Sequence, residues 1–266
     1  MTPKRTLAAL VALGLVVTLG LVVAVAPSYA QSPPAEQIIE RYIEAVGGEK
    51  AIREIEGMHQ TGTMDMPSMG MSAELEIFLA PPNKMLMKMS MPQVGEINTG
   101  FNGEIGWVEN PMTGPMIMEG EQLEQVMEQA DFYSDLSYES RYATMETVET
   151  VEFAGESAYK VRLVDQDGDE TTEYFSVDSG LKIGFEAEQT SEMGTVMVVT
   201  ELRDYKDFEG RMVPMTTVAK MMGMEMTMKL DSVSFDEIEP SVFELPENVK
   251  TLAKKVVEKV DGENGR

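Results

Sequence analysis

Lys84-Met85-Leu86-Met87-Lys88-Met89-Ser90-Met91 and Met222-Gly223-Met224-Glu225-Met226-Thr227-Met228-Lys229 decide how this chain folds. In both stretches methionine takes every second position. A step of two residues turns a helix by about 200°, which scatters these side chains over opposite faces. On a strand the same step keeps them on one face. Each stretch therefore predicts a strand with one methionine face and one mostly polar face. A sheet built of such strands is antiparallel and covered on one side only.

Working outward, strand patterns fill most of the chain. They are expected at 59–66, 71–79, 84–91, 96–102 and 105–110, and again at 144–153, 157–164, 171–177, 182–189, 195–208, 211–222 and 224–234. Short turn sequences join them, among them Pro81-Pro82-Asn83, Ala154-Gly155, Met193-Gly194 and Glu209-Gly210. Links this short join antiparallel neighbours. Helices are expected at the start, where Ile38, Ile39, Tyr42, Ile43 and Val46 share a face, over 49–55, and at 119–133, where Leu123, Val126, Met127 and Ala130 do. The fold class is mainly β, with helices available to cover the dry face. A last amphipathic helix and tail are expected over 249–266, after a domain spanning 31–248.

The chain holds 24 methionines, where ordinary usage gives roughly six. Methionine is unbranched and polarisable and adapts to guests of variable shape, whereas a purely structural core favours side chains with fixed rotamers. A wall of Met85, Met87, Met89, Met91, Met222, Met224, Met226 and Met228, with Trp107 beside it, suits an acyl chain or another flexible apolar ligand. Burial contributes about 0.8 kcal/mol per CH₂. Plain core filling, in a structural or sensory domain with no ligand, is the competing reading of the same residues. A chemical alternative also stands. His59, Met64, Met66, Met69 and Met71 place one imidazole and four thioethers within thirteen residues, a soft donor set suited to Cu(I).

Residues 1–30 read as a secretory leader: Lys4 and Arg5, an apolar run from Leu7 to Ala26, then Ser28-Tyr29-Ala30, with cleavage expected after Ala30 and delivery to the periplasm. The apolar run is also long enough to span a bilayer, so a retained anchor is the alternative. With 46 acidic against 21 basic residues and a net charge of −25, nucleic acid is excluded as a partner, since phosphate binding needs clustered Lys and Arg. No cysteine is present, which removes thiol catalysis and thiolate metal sites. His59 is the sole histidine, and no nucleophile elbow, P-loop, zinc-protease or dinucleotide fingerprint occurs. The expectation is a monomeric binding protein, without cofactor in its main reading, and no enzyme.

One series of motifs adds a resemblance. Ala35-Glu-Gln-Ile-Ile-Glu-Arg-Tyr-Ile-Glu-Ala-Val-Gly-Gly48 runs through Ala51–Ile55 to Gln60-Thr-Gly-Thr63. Phe101-Asn-Gly-Glu-Ile-Gly-Trp107, Tyr174-Phe-Ser-Val-Asp-Ser-Gly-Leu181, Tyr205-Lys-Asp-Phe-Glu-Gly-Arg-Met-Val-Pro214 and Phe243-Glu-Leu-Pro246 follow in order. The series resembles the outer-membrane lipoprotein-sorting proteins, relatives of the periplasmic carrier LolA and its receptor LolB. The resemblance implies an unclosed antiparallel β-barrel whose concave face is covered by helices. It implies an apolar interior for lipoprotein acyl chains or lipid, and a membrane partner protein. Those carriers hold their covering helices with an arginine, for which no residue of this sequence is assigned.

Overall fold

The computed structural model describes residues 32–191 and 194–253. The expected leader, the turn residue Met193 and the tail from 254 lie outside the described residues. The chain enters through α1 (Ala35–Ala45) and α2 (Gly48–Arg53), then forms β1 (Met58–Met66), β2 (Met71–Ala80), β3 (Lys84–Met91), β4 (Gly95–Phe101), β5 (Gly106–Asn110) and β6 (Gly114–Ile117). A crossover with α3 (Glu121–Ala130) and α4 (Tyr138–Arg141) leads to β7 (Tyr142–Phe153), β8 (Glu156–Asp165), β9 (Glu170–Ser176), β10 (Lys182–Ser191), β11 (Gly194–Phe208), β12 (Arg211–Met221) and β13 (Met224–Ser234).

All thirteen strands form one antiparallel sheet, in the order β6-β5-β4-β3-β2-β1-β13-β12-β11-β10-β9-β8-β7. The chain starts mid-sheet at β1, steps outward to β6, crosses to the opposite end at β7, and steps back until β13 pairs with β1. The end strands β6 and β7 leave the barrel unclosed, as expected. Sequence patterning missed β6, whose Gly114-Pro115 opening reads as a turn.

Cross-strand pairs show which side chains share a face. Val161 and Leu163 on β8 oppose Glu173 and Thr171 on β9; Glu173 opposes Phe185; Phe185 opposes Thr200; Thr200 opposes Ala219; and Ala219 opposes Met226. Two residues further along β13, Met228 opposes Met64, which opposes Ala73. Leu79 opposes Met85, and Met85 opposes Phe101. Directly paired side chains, and those two apart on an unbroken strand, lie on one face, so this inner face runs from β8 to β4.

Helices cover that face at both flanks. Ile38, Ile39 and Tyr42 of α1 pack on Val161, Leu163 and Phe175, and Val126 and Ala130 of α3 pack on Met85 and Phe101. Each fully buried aliphatic or aromatic side chain contributes about 1.5–3 kcal/mol, enough to hold helices this short against the sheet. The outer face has its own cover over β3 and β5, where Leu86 and Trp107 pack under Phe243 and Val249. Val249 belongs to a helix described over 247–253.

Candidate functional site

Between the two helical flanks the inner face is apolar and incompletely covered. Met85, Met87, Met89 and Met91 all point to it, because Met85, Met87 and Met89 oppose Leu79, Ile77 and Leu75 on β2, and Phe101, Thr99 and Ile97 on β4. Met85 and Met91 are buried, while Met87 and Met89 are half-buried. On β13, Met228 is half-buried, and Met224 and Met226 retain 37% and 38% exposure. Of the inner-face residues between the flanks, Ile77, Ile97, Leu202, Thr217 and Ala219 carry no charge and are half-buried, while Ala73, Leu75 and Met215 are buried.

Met222 does not belong to this row. It occupies the β12–β13 turn with Gly223, both at positive φ (50° and 79°), and is 78% exposed. Two such residues make the turn that matches strand twist in a tight hairpin. The inward position on β12 is filled by Met221, which opposes Met224. Trp107 is a core residue and not part of the ligand wall, the second of the two roles its sequence position allowed. It opposes Gly100, which opposes Leu86, so it lies on the outer face, 3% exposed beneath the C-terminal segment. A Cβ on Gly100 would sit 2.5 Å from the indole ring, and the missing side chain is what lets the ring lie flat across β4.

The expected copper segment is split by the strand it sits on. His59 is on the outer face of β1, stacked on Phe78 at 4.4 Å, with its Nε2 3.1 Å from Glu76 Oε1. Glu76 also accepts a hydrogen bond from Lys88 Nζ at 3.0 Å. Burial pushes the Glu76 carboxyl up, but Lys88 and His59 together hold it below the usual range. Met64, Met66 and Met71 face inward, and Met69 is 58% exposed in the 3-10 turn Pro67–Met69. Alternation along β1 thus separates the imidazole from the thioethers. Among the described residues no group of three or more His, Asp or Glu is placed to hold a metal ion.

A buried polar cluster fastens the α1 flank, and sequence reading missed it. Lys182 Nζ lies 3.3 Å from Glu173 Oε1, 3.3 Å from Asp135 Oδ1 and 3.2 Å from the Tyr138 hydroxyl. Tyr138 in turn donates to Glu173 Oε2 at 2.5 Å. The ammonium sits 5.1 Å from the Tyr42 ring centre, within cation–π range. Tyr205 donates to the Lys182 carbonyl at 2.6 Å. Burial opposes the Lys182 charge, yet Glu173, Tyr138, Tyr42 and Asp135 push its pKa well above the ordinary value. Burial likewise raises Tyr42 and Tyr138. The cluster joins α1, the crossover, β9, β10 and β11 at one point. Arg41 adds a clamp, donating to the carbonyls of Val177 and Asp178 at 2.8 and 2.7 Å. The α3 flank differs: its packing on the sheet is apolar, and among the described residues its only ion pair, Glu128 to Arg141 at 3.8 Å, stays within the crossover.

No protein-family model and no curated protein matches the sequence. Solved structures do match the fold. A DUF1329 family protein from Desulfovibrio piger aligns with a TM-score of 0.57 at 8% identity, over 80% of this chain and 98% of its own. A LolA superfamily protein from Nitrosomonas europaea gives 0.56 at 11%, over 80% and 99%. An outer membrane lipoprotein-sorting protein domain from Vibrio parahaemolyticus gives 0.54 at 11%, over 79% and 97%. At such identities the likeness shows the fold alone: this chain has the unclosed, helix-covered antiparallel barrel seen in LolA superfamily and lipoprotein-sorting structures.

Proposed function

We propose that the protein is an exported carrier that holds an apolar ligand, the acyl chains of a lipoprotein or a lipid, against the inner face of its sheet. The observation that carries this reading is the continuous uncharged inner face, flanked by helices and incompletely covered between them at Met87, Met89, Met224 and Met226. Monomeric soluble proteins rarely leave a contiguous apolar surface of this kind without a use for it. The likeness of fold to lipoprotein-sorting structures supports the same ligand class.

The leader over 1–30 would direct the chain to the periplasm, where a membrane partner would hand over or receive the cargo. Binding is by burial, with no bond made or broken. Methionine side chains adjust to chains of different length and saturation. The two flanks divide the work. The α1 side, fastened by Lys182 and Arg41, stays closed, and the ligand enters by displacing α3, which holds to the sheet through apolar contacts alone.

Native mass spectrometry of protein purified from the periplasm, followed by solvent extraction, tests the reading directly. A co-purifying lipid or lipoprotein adduct is expected. A bare mass, together with no uptake of a fluorescent fatty-acid probe, would overturn it in favour of a ligand-free domain. Met87→Lys with Met226→Lys should weaken probe uptake while leaving the fold intact, because both side chains are incompletely buried and a lysine head can reach water.

A further inference from the structure

The inner-face methionines crowd towards one rim of the barrel, where the β1–β2 and β12–β13 hairpins turn. β1 and β13 are adjacent strands, and Met64 opposes Met228 across them. Asp65 opposes Thr227, so the next residues along the two strands set Met66 beside Met226. The four form a square on one face. Directly opposed residues in antiparallel strands have Cβ atoms about 4.5–5.5 Å apart, and residues two apart along a strand are separated by roughly 7 Å. Four long, flexible side chains rising from such a square can bring their sulfurs to a common point. Met66 and Met226 are bordered by Met71, which opposes Met66 on β2, and by Ala219, which opposes Met226 on β12.

A binding wall for acyl chains does not by itself call for thioethers at this place. Elsewhere the same face sets the methionines of β3 singly among Leu75, Ile77, Leu79 and Ile97 of the neighbouring strands. At the rim, where the side chains are half-exposed, it uses methionine on neighbouring strands. The charged residues of these hairpins, Asp65, Glu74, Glu225 and Lys229, take the opposite alternation and point outward. Among the described residues the rim therefore offers a donor set of sulfur alone, with the charged side chains of these two hairpins on the opposite face. Thioethers are soft ligands suited to Cu(I) and poorly matched to hard ions such as Mg²⁺ and Ca²⁺.

We propose that Met64, Met66, Met226 and Met228 form a thioether-only site for Cu(I) at the open rim of the barrel. Copper enters and leaves in the +1 state, and no electron is transferred. The site shares Met226 and Met228 with the proposed lipid wall but asks something different of them, since a leucine at these positions preserves an apolar wall and cannot coordinate.

The test is an anaerobic Cu(I) titration of the protein spanning residues 31–266, without the expected leader, against a chromogenic Cu(I) chelator, with X-ray absorption on the loaded sample. One equivalent held against the chelator, with sulfur as the sole ligand type, is expected. Met64→Leu with Met228→Leu, a nearly volume-conserving change that costs little stability, should lose the retained copper while keeping the thermal unfolding midpoint of the parent. His59→Ala, and separately Met87→Leu with Met89→Leu, should retain the copper. Failure of the parent protein to hold Cu(I), retention by the Met64→Leu/Met228→Leu variant, or nitrogen or oxygen ligation in the absorption spectrum would overturn the proposal.

Discussion

Replacing Lys182 with methionine removes the cation of the buried cluster while keeping most of its volume. Two carboxylates depend on that ammonium. Asp135 is 40% exposed and can turn to water, but Glu173 is 9% exposed and cannot. Breaking a buried ion pair by removing one partner costs about 3–5 kcal/mol, because the other charge is left uncompensated. For a domain of this size each kcal/mol lowers Tm by about 2–4 °C, so Lys182→Met should lower it by roughly 6–20 °C at neutral pH. Thermal unfolding followed by circular dichroism reads the change, and hydrogen exchange over α4 and Tyr42 should rise before the rest of the sheet opens. Adding Glu173→Gln removes the stranded charge and leaves an acceptor for the Tyr138 hydroxyl, so the double variant should recover much of the loss. A single-variant loss under about 1 kcal/mol, the level of an exposed pair, or a double variant worse than the single, would refute the account of a dry and mutually dependent cluster.

Trp107 emission should respond weakly to a saturating apolar ligand, because the indole is on the outer face; a large shift in a fluorescence titration would place the ligand there instead. Gly100→Ala should destabilise by about 1–3 kcal/mol through overpacking against the indole, measured by urea unfolding, and wild-type stability would show that the ring has room to move. Stability should fall as pH rises above about 10, the ordinary tyrosine pKa. Burial raises Tyr42 and Tyr138, and burial with the nearby Glu186 charge raises Tyr174 to about 12, so the folded state retains protons that the unfolded chain releases. Lys182, also raised, acts in the same direction. On the acid side Glu76 and Glu201 are lowered by their basic partners against the pull of burial, so their contribution is present above about pH 4.3 and lost as pH falls below it. Midpoints of chemical denaturation across pH 3–12 check both limbs.

Most strands could be read from alternation and turn residues, because half-covered antiparallel strands write their two faces into the sequence. The helical stripe of α1 was equally clear. What failed is instructive in physical terms. Met222 kept step with Met224 and Met226 because positions two apart share parity, and the strand pattern runs on through a two-residue turn. The clue was Gly223, but a methionine at positive φ is unusual enough to hide the hairpin. Trp107 could not be assigned to a face without the pairing of β4 with β5. Lys182 was invisible for a different reason: Glu173, Asp135 and Tyr138 come from separate elements, and a register shift between Lys182 and Gly184 breaks the alternation of β10 just where the lysine turns inward. His59 and the nearby thioethers looked like one donor set in the sequence, and only strand alternation separated them.

The meeting of β1 with β13 has a consequence for how the chain acquires its structure. Strands β1–β6 form one half of the sheet and β7–β13 the other, and apart from α3, which follows β6 and covers part of the first half, their covering segments are exchanged. α1, which precedes the first half, packs on β8 and β9 of the second, while Phe243 and Val249, which follow the second half, pack on the outer face of the first. Each half also lacks an edge partner until the other arrives. The nascent chain therefore has no autonomous folding unit to complete before its last twenty or so described residues are made. The export proposed for this chain would benefit from such an arrangement, and truncation at residue 236 should abolish cooperative folding of the whole rather than fray one end.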